Sequence, residues 1–328
     1  MTPCPIAVTM GDPNGIGPEI VARAFATGTL ADCVVIGDAT RLEEAVRLTG
    51  AGLSIERLNG LETIRTGSTL PVLQVGPESG GSDFGVVTAS AGRASFDYVE
   101  AGIAAALDKA ASALVTAPIN KEAWSAAGIA YPGHTEVLAD RAGGVPVAMM
   151  LANPELRVVL VTIHVPLREA CDLITPEREI EAIRHAHRAG LALGVAGPRI
   201  AVAGLNPHAG EGGLFGREDI DIIAPAIESA RAEGIDASGP WPGDTIFARA
   251  RKGEFDLVVA QTHDQGLIPV KYLGVDDGVN VTIGLPFVRT SPDHGTAFDI
   301  AGTGAASPAS LLTAIDYARR LVAAGGGA

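Results

Sequence analysis

Residues 257–264 read LVVAQTHD, an apolar run suited to a strand buried on both faces, followed by a short polar stretch that delivers a histidine and an aspartate. Two other segments have the same form. RVVLVTIH (157–164) ends on His164, and IAVAGLNPH (200–208) reaches Asn206 and His208. All three lead into loops rich in glycine or proline: IHVPLR, LNPHAGEGG and THDQG. Strands this apolar belong to parallel sheets covered by helices, and in such sheets ligands bind beyond the carboxyl ends of the strands.

The pattern extends along the chain. Strands are expected over Ile6–Thr9, Val34–Ile36, Ala113–Thr116, Arg157–Ile163, Ile200–Ala203, Leu257–Ala260 and Val279–Ile283. Helices are expected from near Pro18 and over Arg41–Leu48, Ala91–Ala110, Glu177–Leu193 and Ser307–Val322. This alternation predicts an α/β protein with mostly parallel strands. No repeat or low-complexity linker divides it.

The chain has 328 residues, 47% of them hydrophobic, enough for one or two packed domains. No run approaches the roughly 18 apolar residues of a membrane span, and the N-terminus lacks a basic signal-peptide region, so a cytoplasmic protein without a membrane partner is expected. Cys4, Cys33 and Cys171 are too scattered for a disulfide framework or a cysteine zinc site. A formal net charge of −14 argues against nucleic acid as a partner. It also means that an anion must be met by a locally positive pocket.

Four constellations carry chemistry. His164, His208 and His263 each stand just past a strand, and a parallel sheet could bring them together around one divalent ion; apart, they would be three unrelated caps. His185 and His187, in a charged helical pattern, read as solvated. Second, His134 and Thr135 of GHTE, Lys271, and Asn280 and Arg289 flanking a strand would together suit a phosphate. Third, GDPNGIGPE (11–19) is a glycine loop between the first strand and helix, able either to receive a phosphate on its amides or to serve as a turn. Its spacing is not GxGxxG. Fourth, PDHGTAFDIAGTGAASPASLL (292–312) reads as a binding loop, with Gly295, Gly302 and Gly304 allowing close approach, His294 offering a flat ring, and Asp299 able to fix neighbouring loops.

Taken together, these segments resemble a known family. GDPNGIGPE resembles the GDGIGPE opening of isocitrate and isopropylmalate dehydrogenases, and HGTAFDIAGTGAASP resembles their loop for the adenosine part of NAD(P). TAPINK, YPGHTE, IHVPLREA, GLNPHAGEGGLFG, GDTIF, HDQG, GVNVTIGLP and RTSPDHGTA resemble, in the same order, the 4-hydroxythreonine-4-phosphate dehydrogenase family of pyridoxal phosphate biosynthesis. The likeness runs from about Ile6 to the last helix.

The resemblance implies a homodimer of subunits with two α/β/α lobes and an active-site cleft between them. Residues 1–125 plus 265–328 would form a nucleotide-binding lobe, and 126–264 a central metal and dimerisation lobe. His164, His208 and His263 fall on the family's metal ligands, shared across the dimer interface, with zinc favoured by imidazole ligation and cobalt, manganese or magnesium as alternatives. His134, Thr135, Lys271, Asn280 and Arg289 fall on positions that bind a small phosphorylated hydroxy acid. Gly11, Gly15, His294, Gly295, Thr296, Asp299 and Gly302 are the expected contacts of NAD or NADP. The implied reaction oxidises the 3-hydroxyl of 4-phosphohydroxy-L-threonine, with decarboxylation to 3-amino-2-oxopropyl phosphate. Lys121, Asp244 and Asp264 are the candidates for the proton acceptor, Lys121 being equally suited to contact a phosphate or carboxylate.

GLIPVK with Pro269, REACDLIT and GLNPHAGEGGLFG also resemble a branch acting on 4-phospho-D-threonate or 4-phospho-D-erythronate, and Thr262 stands where an aromatic residue often precedes HDQG. A more distant branch oxidises aromatic cis-dihydrodiols but lacks parts of the phosphate set. Outside the family, three histidines could mark a zinc hydrolase, or the chain could be a phosphorylated-acid sensor. A hydrolase would leave the two glycine-rich loops without a task, and a sensor would bind its ligand tightly without turnover.

Overall fold

The computed structural model describes residues 4–61, 68–78, 83–274 and 278–325. The chain divides into two compact units, one running to Pro146 and resuming over Leu285–Val322, the other spanning Val147–Gly284. The first unit is thus discontinuous, with divisions some 20 residues beyond the expected 125/126 and 264/265. An edge at residue 264 would cut the helix that begins at His263.

The first unit contains β1 (Ile6–Thr9), α1 (Gly17–Phe25), β2 (Cys33–Gly37), α2 (Ala39–Thr49), β3 (Ser54–Leu58), β4 (Thr69–Gln74), α3 (Ala89–Leu107), β5 (Ala113–Thr116), α4 (Lys121–Ala126) and α5 (His134–Arg141). After the second unit it regains β12 (Val288–Pro292) and most of α11 (Ala309–Ala323). Its strands pair in the order β3-β4-β2-β1-β5-β12, all parallel. β1, β2, β5 and β12 are buried at every position, the signature of strands covered on both faces. The helices begin where side chains can cap them: Asp38 accepts the Thr40 and Arg41 amides at α2, Thr88 the Ala91 amide at α3, and Asn120 the Ala123 amide at α4.

The second unit contains β6 (Ala148–Ala152), β7 (Arg157–Leu160), α6 (Leu167–Leu173), α7 (Pro176–Ala192), β8 (Ile200–Ala203), α8 (Ala224–Ala232), β9 (Ala237–Trp241), α9 (Ile246–Arg251), β10 (Leu257–Ala260), α10 (His263–Leu273) and β11 (Val279–Ile283). The order is β11-β6-β7-β10-β8-β9, with β6 antiparallel to both neighbours and the other pairings parallel. Val158, Ala201 and Val258 of the central strands pack on Ile246, Leu267 and Val270 from helices α9 and α10.

Several local expectations are corrected. The strand expected to Ile163 ends at Leu160, although the Val161 and Thr162 amides still donate to Ala260 and Gln261 carbonyls. THDQG is the start of a helix, not a loop, and Pro269 lies inside α10. Arg289 lies within its own strand, β12, instead of flanking one. His185 is buried at 3% exposure against the expected solvated face, because α7 packs over β7, β8 and β10. Burial, reinforced by Arg188 and opposed by Glu181, pushes its imidazole down to about 4, so it is neutral. Among the described residues, no helix is long and apolar enough to cross a membrane.

Candidate active site

In the second unit, β7, β10 and β8 are adjacent and parallel, with Leu160 level with Ala260 and Val259 level with Val202. His164, His263 and His208 therefore leave the same edge of one sheet. The loop roots are tied together. The Thr162 hydroxyl donates to the Gln261 carbonyl at 2.7 Å, and Gln265 accepts the Gln261 amide at 2.7 Å while donating to the Gly204 carbonyl at 2.8 Å. Buried Asp219 accepts the Leu205 amide at 2.8 Å and the Asn206 side chain at 2.9 Å, fixing the approach to His208.

The rings of His164 and His263 lie 5.5 Å apart, centroid to centroid. Two imidazoles on one tetrahedral ion, with metal–nitrogen bonds of about 2 Å, hold their ring centres about 5 Å apart, so this pair fits a shared ion. His263 Nδ1 is 2.7 Å from Asp264 Oδ1, and His208 Nδ1 is 2.9 Å from Glu211 Oε2. A carboxylate on Nδ1 fixes the proton there and leaves Nε2 as the metal-binding atom. His208 stands in a left-handed turn, φ being 55° there, 53° at Ala209 and 42° at Glu211, and its side chain is 63% exposed. Among the described residues of a single chain, no three His, Cys, Asp or Glu side chains are grouped as a metal site. His208 is thus not gathered with the other two within one subunit.

Asp264 is exposed beside His263, and Asp244 is exposed in the turn after β9, on the same sheet edge. Lys271 lies in the last turn of α10, and Asn280 is half-buried on β11 opposite Leu151.

The other phosphate-type residues belong to the first unit. Arg289 is buried and donates to Thr116 Oγ1 at 2.6 Å. Burial pushes its guanidinium down to about 10, against the attraction of Glu136. His134 opens α5, edge-on to Trp124 with ring centres 5.8 Å apart. Some of the residue remains accessible, but Nε2 is buried and has no hydrogen-bond partner among the described residues. Burial, then the charges of Arg289 and Lys121, hold His134 well below the ordinary histidine range. This is a neutral imidazole and two cations around one place. Thr135 follows on α5, and Lys121 starts α4.

The two glycine-rich loops meet in this unit. Residues 11–17 are buried throughout, and four of their amides are already used: Asp12 N–H donates to the Pro118 carbonyl, Asn14 N–H to the Asp12 carboxylate, Gly15 N–H to the Asp12 carbonyl and Ile16 N–H to the Thr296 carbonyl. Of the two readings of GDPNGIGPE, the turn is therefore the one visible. A Cβ at Gly11 would come within 2.4 Å of the Pro118 oxygen, and one at Gly15 within 2.9 Å of Thr296. Within 294–304, Gly295 and Asp299 are exposed, Thr296 is buried, and Gly302 has φ +80°. A Cβ at Gly295 would meet nothing within 4 Å beyond its chain neighbours, and His294 Nδ1 lies 3.0 Å from the Gly295 carbonyl oxygen. That open, glycine-lined stretch suits a flat nucleotide group.

Sequence reasoning missed several residues. Asp12, pushed up to about 6 by burial against the backbone amides of Asn14 and Asn120 and the charge of Arg41, joins the glycine loop to the turn before Lys121. Thr116, Asp219, Gln261 and Gln265 hold named site residues in place, and Glu19 accepts the Gly302 and Gly304 amides. Their signal lies in long-range pairing, which a linear pattern does not carry.

The family described as pyridoxal phosphate biosynthetic protein PdxA matches residues 29–318. A 4-hydroxythreonine-4-phosphate dehydrogenase of Beijerinckia indica subsp. indica is 56% identical, covering 97% of this chain and 95% of its own. A D-threonate 4-phosphate dehydrogenase of Cupriavidus necator is 49% identical, over 94% and 95%. The crystal structure of a 4-hydroxythreonine-4-phosphate dehydrogenase from Klebsiella pneumoniae superposes with a TM-score of 0.87 at 43% identity, covering 98% of both chains.

Proposed function

The chain belongs to the PdxA family of pyridoxal phosphate biosynthetic proteins and is a dehydrogenase, and on that premise we propose that it oxidises the 3-hydroxyl of 4-phosphohydroxy-L-threonine with NAD or NADP. NAD or NADP would supply the hydride acceptor, a base of the chain would take the hydroxyl proton, and the resulting 2-amino-3-oxo acid would lose carbon dioxide to leave 3-amino-2-oxopropyl phosphate. The observation that carries this reading is the buried Arg289 guanidinium beside neutral His134. In a chain of net charge −14, a cation held in the interior gains most from a bound anion such as a phosphate.

His134, Thr135 and Arg289, with Lys271 and Asn280, bind and orient the phosphorylated acid, and orientation remote from the reacting carbon lowers the barrier. His164, His208 and His263 would hold one divalent ion, zinc by ligand chemistry, with cobalt, manganese or magnesium also able to serve. Such an ion supplies Lewis acidity at an oxygen, favouring both alcohol oxidation and decarboxylation. Asp244 and Asp264, or Lys121 in its neutral amine form, would be the groups able to take the hydroxyl proton. His294, Gly295, Thr296, Asp299 and Gly302 would form the dinucleotide loop, with Gly11 and Gly15 packed behind it. The enzyme would work as a cytosolic homodimer: Leu167, Leu214, Phe215, Ile268 and Tyr272 are exposed in the segments that follow the three histidines, and a second copy would cover them.

Oxidation of 4-phospho-D-threonate is the second reading, favoured by the Cupriavidus relative. The substrates differ at carbon 2, amino against hydroxyl. The metal-loaded enzyme assayed with each phosphorylated threonine, threonate and erythronate isomer and both nicotinamides separates them by absorbance of the reduced cofactor. The first reading expects the highest kcat/KM with 4-phosphohydroxy-L-threonine; turnover of the threonate alone would replace it, and no reduction with any of them would reject both.

A further inference from the structure

We infer that Glu19 is a positioning residue that holds the dinucleotide loop in its binding shape. The inference rests on the cofactor reading above. Glu19 lies in the first turn of α1 and is fully buried. Its Oε1 accepts the Gly302 amide at 2.5 Å and its Oε2 the Gly304 amide at 2.7 Å, across more than 280 residues of sequence. One turn further along α1, Arg23 donates to the Gly304 carbonyl. The Ile16 amide, just before the helix, donates to the Thr296 carbonyl at 3.0 Å.

The physics is that of an occupied anion nest. Gly302 and Gly304 have φ of +80° and +72°, so the turn aims its amides inward, and such amides attract an anion. Here the anion is the chain's own carboxylate, set on a helix that follows β1 directly. The turn is therefore closed from behind, leaving Gly295 and Asp299, on the exposed stretch, for a ligand. Gly302 also packs against Phe84, where a Cβ would come within 2.8 Å of the phenylalanine Cβ, so the loop has little freedom on that side. Without Glu19, the buried Gly304 amide and the half-buried Gly302 amide would lose their acceptor, and the loop would have to reorganise before each binding event.

The test is E19Q in the full-length, metal-loaded protein. A glutamine keeps one acceptor and sets an NH2 against the other amide. The expected result is a Kd for NAD and for ADP-ribose at least tenfold weaker by calorimetry, with kcat at saturating cofactor and the substrate KM within twofold of wild type. Hydrogen exchange at Gly302 and Gly304 should speed up. A folded E19Q with dinucleotide Kd within twofold of wild type overturns the inference, as does a parallel fall of all kinetic constants, the mark of a merely structural role. Should E19Q not fold, exchange in the wild type decides: Gly302 and Gly304 amides protected relative to that of Gly295 support the inference, and amides as labile as that of Gly295 overturn it. Wild type that binds neither NAD nor NADP overturns the cofactor reading as well, a result distinct from equal binding by both proteins.

Discussion

The imidazoles of His164 and His263 face each other at 5.5 Å because β7 and β10 are parallel neighbours whose last residues, Leu160 and Ala260, are level. Each histidine follows its strand by a few residues, and the Thr162–Gln261 hydrogen bond locks the two exits together. H164A or H263A should each weaken zinc binding at least a hundredfold and abolish turnover, since removing one ligand leaves the ion's charge less compensated. Metal titration and elemental analysis read the first effect; far-ultraviolet circular dichroism should be unchanged. Full metal content and activity in either variant would reject the shared ion.

Arg289 is buried on β12, its guanidinium reaching Thr116 on the neighbouring strand β5. Charge-assisted hydrogen bonds are worth about 1.5–3 kcal/mol each, so losing a two-pronged grip on phosphate costs at least about a hundredfold in affinity. R289A should raise the KM for the phosphorylated substrate by about that factor, and inorganic phosphate should cease to compete. R289K should recover only part, because an ammonium cannot offer two parallel donors. An unchanged KM in R289A would remove this residue from the phosphate site.

Glu179, on α7, is fully buried, and burial pushes its carboxyl up to about 8, opposed by the Gln261 side chain and reinforced by Asp219. In the folded protein it stays protonated to about that pH, whereas in the unfolded chain it ionises near the ordinary 4.5. Between these values the folded state binds more protons, so this group's stabilising contribution, complete below 4.5, is lost as pH rises through 8. E179Q, a permanent mimic of the protonated acid, escapes that loss. Urea unfolding should show E179Q gaining on wild type by a few kcal/mol between about pH 5 and pH 8.5, since each tenfold difference in proton affinity between the two states is worth about 1.4 kcal/mol. Parallel pH profiles for the two proteins would contradict the assignment.

Three central strands were legible to the residue, because burial on both faces leaves an unbroken apolar run: IAVT, ALVT and LVVA match their elements, whereas VRTSP of the equally buried β12 breaks its run with Arg289 and two hydroxyls. The strands without that signature were missed. SIERL carries two charges because β3 is half-exposed, and ASGPW contains the residues that usually mark turns. That His164, His208 and His263 leave one sheet edge was readable because a strand's end announces itself locally. Glu19 was not, since an acidic residue in a helix's first turn looks like a partner for the helix dipole, and its true partners lie more than 280 residues away. His185 was misread for a related reason: its helix is rich in charge, yet the face carrying Ala182, Ala186 and Ala189 packs inward and takes the imidazole with it.

His208 decides whether the metal site is built by one chain or two. It is not grouped with His164 and His263 in a single chain, its side chain is 63% exposed, and Leu214 and Phe215 are exposed just beyond it. If the ion is held by His164 and His263 of one subunit and His208 of its partner, two inactive proteins can repair each other. In a mixed dimer of H208A and H263A, one site pairs the intact His164 and His263 of the first protein with the intact His208 of the second. The other site is doubly damaged. Random mixing makes half the dimers mixed, each with one working site of two, so activity should return to about a quarter of wild type. I268D, placing a charge at an exposed apolar position of α10, should prevent this recovery by weakening association, read as a shift toward monomer in sedimentation. Mixing that restores nothing, from variants shown to exchange subunits, would mean that each chain completes its own site and that the shared ion is wrong.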